Sequence, residues 1–176
     1  EEFKILSPRD HVRSRMGLYL GSSSKEQVER FVQGEWRNVD YVPALNKIVD
    51  EILDNAIDEA IRTNFKYANK IDVSVDGNAV TVTDNGRGIP QEDVITPEKE
   101  KISRPVAAWT RVNAGTSFTE DRVSIGANGV GSSCTNFVSS SFTGRTWQNG
   151  NLIEFKCSDG CNKVDVKTKS KTGSGT

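Results

Sequence analysis

Apolar residues recur at three- and four-residue steps from position 42 to position 63: Leu45, Ile48, Val49, Ile52, Ala56 and Ala60. That period predicts a long helix over residues 42–63 with one apolar face. The pattern then switches to period two in Ile71-Asp72-Val73-Ser74-Val75 and Ala79-Val80-Thr81-Val82-Thr83. Asp76-Gly77-Asn78 separates the two runs, so they predict a β-hairpin. Alternation returns over residues 137–155 and predicts two further strands around Gln148-Asn149-Gly150. Residues 24–34 read as a short amphipathic helix. Residues 7–21 open with Ser-Pro-Arg-Asp, a helix start, and close in an extended piece, Met16-Gly17-Leu18-Tyr19-Leu20-Gly21. Residues 91–127 are polar and weakly periodic apart from a short helix over 106–112; such a stretch reads as a lid or a loop. A glycine-rich run over 126–131 opens into a helix over 132–140. The tail, 163–176, is rich in Lys, Ser, Thr and Gly, and its composition favours a flexible end.

The long helix carries an oddity. Residues 50–59 hold five acids (Asp50, Glu51, Asp54, Asp58 and Glu59) with Asn55 among them, against only Lys47 and Arg62 as cations on the same helix. Like charges at helical spacing repel by a few tenths of a kcal/mol per pair, as a rough scale. Glu51, Asn55, Asp58 and Arg62 fall within about 60° on a helical wheel. A carboxylate beside a carboxamide can divide labour: Glu51 can take a proton from water, and the Asn55 oxygen can ligate a hard cation such as Mg²⁺. The competing reading is a solvated amphipathic face.

Three further constellations follow along the chain. Asp84-Asn85-Gly86-Arg87-Gly88-Ile89-Pro90 stands directly after a predicted strand. Asp84 can accept from an exocyclic amine such as that of adenine, the glycines permit close backbone approach, and Arg87 can pair with Glu59 or stack on a base. A plain Asx turn is the competing reading. Gly126-Ala127-Asn128-Gly129-Val130-Gly131 can cradle an anion with its amides and the following helix start, or can be a flexible connector. It matches neither the Walker A pattern nor the dinucleotide fingerprint. Gly173-Ser174-Gly175-Thr176 offers a hydroxyl that can donate to a base.

Composition narrows the field. The 176 residues form one domain of ordinary size, with formal net charge −1 and pI near 6.0, so no basic field marks direct nucleic-acid binding. The apolar runs are too short to span a bilayer, and no signal peptide is present. Three cysteines argue against a secreted disulfide framework, and Cys157 with Cys161 and a single His11 makes a poor zinc set. The chain lacks an initial Met and stops at Gly-Ser-Gly-Thr, which reads as an excised domain.

The order of the four constellations resembles the four nucleotide-binding boxes of the GHKL superfamily, which joins gyrase, the ninety-kilodalton heat-shock chaperone, sensor histidine kinases and MutL. Within it the chain is most similar to type IIA DNA topoisomerases. Arg15-Met16-Gly17-Leu18-Tyr19-Leu20-Gly21 resembles their arm motif "RPGMYIG", and residues 50–59 resemble "EVVDNAIDE" of gyrase B. Residues 84–90 are similar to "DDGRGIP", 114–118 to "AGGKF" and 126–131 to "GLHGVG". Tyr41-Val42-Pro43 and Pro105-Val106-Ala107-Ala108-Trp109 are most like the bacteriophage members of the family.

The resemblance implies a fold, a function and roles. The fold is the Bergerat ATP-binding fold, an α/β two-layer sandwich of a mixed, mostly antiparallel sheet with helices on one face. Residues 1–176 are one nucleotide-binding domain, with an arm over about 1–21 that reaches a second protomer. The function is Mg-dependent ATP binding and hydrolysis, which drives an ATP-gated dimer for DNA strand passage. Glu51 is the general base and Asn55 the Mg²⁺ ligand. Asp84 reads adenine with Thr176 assisting, and Gly88, Ile89 and Pro90 line the pocket. Arg87 pairs with Glu59 at the mouth, and Asp58 joins the water network. Gly126, Asn128, Gly129, Val130 and Gly131 wrap the phosphates.

Two positions depart from the family: Ser117 stands for the lid Lys of gyrase, and Ser133 for a Lys of eukaryotic topoisomerases. A transducer domain with its phosphate-sensing Lys is expected elsewhere in a longer chain, as is a last strand continuing past Thr176. DNA is then engaged through other domains, other topoisomerase subunits are partners, no membrane is involved, and the location is cytoplasmic, in the bacterial host for a bacteriophage product. A sensor-kinase phosphotransfer domain and a non-catalytic ATP-binding clamp are the alternatives.

Overall fold

The structure is a computed structural model and describes residues 3–114 and 130–176. The element order is α1 (Pro8–Ser14), α2 (Met16–Tyr19), β1 (Glu26–Val32), β2 (Glu35–Tyr41), α3 (Pro43–Arg62), β3 (Ile71–Asp76), β4 (Ala79–Asp84), β5 (Asp93–Ile95), β6 (Lys101–Ser103), α4 (Arg104–Thr110), α5 (Gly131–Val138), β7 (Ser141–Gln148), β8 (Asn151–Ser158) and β9 (Lys163–Ser170).

All ladders among the described residues are antiparallel: the hairpins β1–β2, β3–β4 and β5–β6, and a three-stranded sheet in the order β7-β8-β9. Helices lie over the three-stranded sheet. Trp109 of α4 is buried on Ile153, Phe155 and Cys157 of β8, with Phe142 of β7 beside them. A second core joins Val12, Leu20, Ala44, Cys134 and Phe137, so α1, α3 and α5 close on one another. The expected two-layer α/β architecture is therefore present.

The long helix and the β3–β4 hairpin form where the periodicity puts them, and a positive φ of 57° at Gly77 closes the turn. Four readings need correction. Residues 24–34 are not a helix: they form β1 and the turn into β2. Val28, Phe31 and Val32 satisfy a helical period in so short a run, but Gln33 and Gly34 both take positive φ, at 54° and 89°. That pair makes a tight primed turn, so β2 zips back onto β1. Residues 16–19 are helical rather than extended, because one turn seats Leu20 in the core and brings the Tyr19 hydroxyl to 2.9 Å from His11 Nδ1. The stretch after residue 91 contains the β5–β6 hairpin, only three residues per strand. The tail contains a strand, β9, paired along its length with β8. Its Lys163, Lys167 and Lys169 suit an exposed sheet edge, and its Val and Thr residues supply the β preference.

Within α3 the apolar stripe is imperfect. Leu45 is exposed and Asp58 is buried at 7%.

Candidate functional site

Helix α3 is the spine of the site. Pro43 starts it at its first position, and Arg62 stands in its last turn, where a cation suits the helix dipole. Glu51 to Glu59 spans about 12 Å of helix axis, the scale of a nucleoside triphosphate.

At the Glu51 end, the first residue of α5 is Gly131. A Cβ there would lie 1.8 Å from Glu51 Oε2, so the start of α5 can approach the carboxylate only through glycine. Lys47 Nζ sits 2.6 Å from Glu51 Oε1, one turn back on the same helix. The pairing lifts the Lys47 ammonium above its ordinary range. Asn55 donates from Nδ2 to the Glu51 carbonyl at 2.6 Å and to Ser132 Oγ at 3.0 Å. With both bonds made from the amide nitrogen, Oδ1 is the atom left for a cation. Thr135 ties the two helices again by donating to the Ile48 carbonyl at 3.2 Å. Ser133, at the position of the eukaryotic Lys, is fully buried and donates to the Val130 carbonyl, so it faces the core.

The acid cluster is partly answered inside the protein. Lys47 takes Glu51, while Arg62 and Arg87 take Glu59. Burial pushes the Asp54 carboxyl up, with repulsion from Glu51, Asp50 and Asp58 adding to it.

At the other end, Arg87 grips Glu59 with two side-chain bonds, Nε to Oε1 at 2.7 Å and an η nitrogen to Oε2 at 3.0 Å; the Arg87 backbone N–H adds a third at 3.2 Å. The guanidinium also lies over the Tyr67 ring, 5.9 Å from its centroid. Burial opposes ionisation of Glu59, but the Arg87 bonds outweigh it and hold the carboxyl below its usual 4.5. A depressed folded pKa means stabilisation that is present above pH 4.5 and is lost as pH falls through the folded value. Glu59→Gln is therefore expected to lose roughly 1 kcal/mol at pH 7, discounted because Arg87 is half exposed. That loss should shrink below pH 4.5. Urea unfolding of both proteins across pH 3–7 checks this; a difference constant with pH would contradict the pairing.

Asp84 ends β4. Its Oδ1 accepts from Gly86 N at 2.7 Å, so the Asx turn does form. The carboxyl is half-buried and burial pushes its pKa up, against backbone donors from Gly86 and Thr176. The two glycines serve the protein first. A Cβ on Gly86 would strike Asp84 Oδ1 and Glu59 Cγ, and one on Gly88 would lie 2.0 Å from the Trp147 carbonyl. Gly88 has positive φ, 76°. Ile89 N donates to Thr146 Oγ1 at 2.7 Å, which pins the turn and the adjoining Pro90 to β7.

The tail completes this end. Asp84 N donates to the Thr176 carbonyl at 3.0 Å and Trp147 N to the Gly175 carbonyl at 3.1 Å, so residues 175–176 bridge β4 and β7. Composition favoured a flexible end there; backbone pairing orders it.

The structure thus brings Glu51, Asn55, Val130 and Gly131 together at one end of α3, and Glu59, Asp84, Arg87, Gly88, Ile89 and Thr176 at the other. Asp58 lies between, buried. Gly126, Asn128, Gly129 and Ser117 lie outside the described residues. Sequence reasoning missed Thr146, Lys47 as the partner of Glu51, and Ser132. The i, i+4 spacing of Lys47 and Glu51 was a usable signal; Thr146 had none.

The thiols carry no part of this arrangement. Cys134 and Cys157 are buried free thiols, pushed up by burial to about 11 and about 12. Among the described residues no helix is long and apolar enough to cross a membrane.

A helix bearing Glu and Asn, an Asp-x-Gly-x-Gly turn after a strand, and a glycine at the start of α5 define an ATPase of the GHKL type. Residues 41–176 match the family of histidine kinase-, DNA gyrase B- and HSP90-like ATPases, and the chain belongs to that family. It is 55% identical over 161 residues to the DNA topoisomerase large subunit of Enterobacteria phage T4, covering 90% of this chain and 31% of that protein. It is 34% identical to the DNA gyrase B protein of Staphylococcus aureus, covering 98% of this chain and 24% of the other. The chain therefore spans between about a quarter and a third of the length of these relatives. The ATPase region of Saccharomyces cerevisiae topoisomerase II superposes with a TM-score of 0.83 at 26% identity, covering 98% of this chain and 48% of that one. The resemblance to type IIA topoisomerases drawn from the motifs is borne out.

Proposed function

We propose that this chain binds ATP with Mg²⁺ along α3 and hydrolyses it, and that in a longer protein this cycle gates a dimer for DNA strand passage. The observation that carries the reading is the pair of sites at the two ends of one helix. One is the Glu51 carboxylate against the start of α5; the other, at the Glu59 end, is the half-buried Asp84 carboxyl beside Thr176. Glu51 takes the proton of the attacking water. Asp84 accepts from the adenine amine, and Thr176 donates beside it. Gly126, Asn128, Gly129, Val130 and Gly131 enclose the phosphates.

Asn55 would hold Mg²⁺ through Oδ1, a hard donor that suits the ion. Among the described residues no group of three or more His, Cys, Asp or Glu is placed to hold a metal ion, and phosphates would supply the remaining charge around the ion. Bound Mg²⁺ would screen the phosphates from the acids of α3. Arg87 and Glu59 would brace the pocket mouth, with Asp58 in the water network. The segment ahead of α1, with exposed Phe3, Ile5 and Leu6, is the part of the arm available to a second protomer. Engagement of DNA and of other topoisomerase subunits belongs to other parts of that longer protein, and a cytoplasmic location goes with this reading.

Asp84→Asn tests the base-reading step. An Asn beside Thr176 keeps the shape but removes the charged acceptor, worth about 1.5–3 kcal/mol. ATP affinity is expected to fall by roughly ten- to a hundredfold, with GTP affinity little changed. Titration calorimetry on both nucleotides measures it. Equal ATP and GTP binding by the unmodified protein would refute the role of Asp84.

A further inference from the structure

Thr146 stands on β7 with its side chain fully buried, yet its hydroxyl sits at the junction of three segments. It accepts from Ile89 N at 2.7 Å. Its own single proton has two acceptors in range: Thr176 Oγ1 at 3.1 Å and the Gly175 carbonyl at 3.4 Å. The Gly175 carbonyl already receives the Trp147 N–H at 3.1 Å. The nearer, less committed acceptor is Thr176 Oγ1, and 3.4 Å is long for a hydroxyl bond. Either hydroxyl can donate across that 3.1 Å pair, and donation from Thr146 leaves the Gly175 carbonyl to Trp147.

Donation from Thr146 fixes the polarity of the next hydroxyl. A Thr oxygen that accepts from behind has its own proton free for another direction. Beside it stands the Asp84 carboxyl, to which the Thr176 backbone N–H donates. The pocket then presents an acceptor, Asp84, next to a donor, Thr176. Adenine offers the complement on its Watson–Crick edge, an amine donor at N6 and an acceptor at N1. Guanine offers the reverse, an O6 acceptor and an N1–H donor.

We propose that Thr146 is a positioning residue for base selection: it orients the Thr176 hydroxyl as a donor and so makes the pocket select adenine over guanine. This rests on the nucleotide-binding reading above. It adds a residue that never touches the base and acts through Thr176 alone. The Thr146 oxygen separately accepts from Ile89 N in the turn after β4.

The test measures the ratio of ATP to GTP affinity by calorimetry on the full chain. Thr146→Val, and Thr146→Cys as a near-isosteric weak donor in case the valine form does not fold, should each lower the ratio by about fivefold to tenfold. Thr146→Ser should keep it within about twofold of the unmodified protein. Thr176→Val should lower it by a similar factor, and the double variant Thr146→Val with Thr176→Val should be no worse than Thr176→Val alone. An unchanged ratio in both the Val and Cys variants overturns the proposal. So does a double variant whose loss is the product of the two single losses, since that separates Thr146 from Thr176. An unmodified protein without adenine preference would instead overturn the nucleotide reading itself, and this inference with it.

Discussion

Glu51→Gln is expected to lower steady-state phosphate release by two to four orders of magnitude, the scale of a lost general base. Nucleotide affinity should stay within a few-fold. The geometry makes Gln a clean replacement. Glu51 is 17% exposed and fits against Gly131, where any Cβ would collide with its carboxylate. The amide has the same shape, so the start of α5 keeps its place and the phosphate side of the pocket is undisturbed. What changes is basicity. Lys47, 2.6 Å away, holds one carboxylate oxygen and orients the side chain; an amide takes no proton from water at all. Binding by calorimetry and turnover by phosphate release, run on the same preparation, separate the two effects. Normal turnover in Glu51→Gln would remove Glu51 from the reaction.

Gly175→Ala is expected to cost about 3 kcal/mol or more and to lower the melting midpoint by roughly 10 °C, on the scaling for a domain of this size. Gly175 has φ +84°, and a Cβ there would lie 1.8 Å from the Asp84 carbonyl oxygen and 2.7 Å from its carbon. Both are backbone atoms, so no flexible side chain can yield. The left-handed backbone costs an alanine about 1–2 kcal/mol. Relieving the collision pushes residues 175–176 off β4 and β7, which breaks two backbone bonds worth about 1 kcal/mol each. The same shift moves Thr176 away from Asp84, so ATP affinity should fall at least tenfold. Ser174→Ala, at an exposed neighbour, is the control and should change neither quantity. An unchanged midpoint in Gly175→Ala would contradict the packing of the tail.

The two predictions differ in how far the chain alone foresaw them. Glu51 stood out as a carboxylate four residues before Asn55, and the order of four boxes along the chain raised it above a solvated face. Gly175 stood out only as a member of the Gly-Ser-Gly-Thr run, whose composition favoured a flexible end. The difference is between local and non-local information. A helix over Pro43–Arg62 and a hairpin over β3 and β4 are written in periods of 3.6 and 2, and each is satisfied by its own neighbours. β9 is not of that kind. Lys163–Ser170 carries few apolar residues and becomes a strand because β8 presents an unpaired edge to it. The hairpin of β1 and β2 was misread as a helix for a related reason: three apolar residues in eleven fit both periods, and the positive-φ turn at Gln33 and Gly34 decided between them.

The acid cluster shows the same division within the site. The chain by itself determined the spine: which residues share one face of α3, that Glu51 and Asn55 meet at one turn, that an Asp-x-Gly-x-Gly turn follows a strand, and hence the family. On the helix itself only Lys47 and Arg62 stood against the five acids, and the pairing of Arg87 with Glu59 was one of two readings of that Arg. The tertiary structure makes that pairing, bringing Arg87 to Glu59 from 28 positions away along the chain. It also decided which acid is buried, Asp58, and which hydroxyl stands behind Thr176. Thr146 lies 30 positions from Thr176 and 57 from Ile89, and only the crossing of β7 with the tail and the turn after β4 brings the three within hydrogen-bond reach. Periodicity reports which face a residue takes on its own element. Which other element meets that face is set by packing of the whole chain, and a selective pocket is built from such meetings.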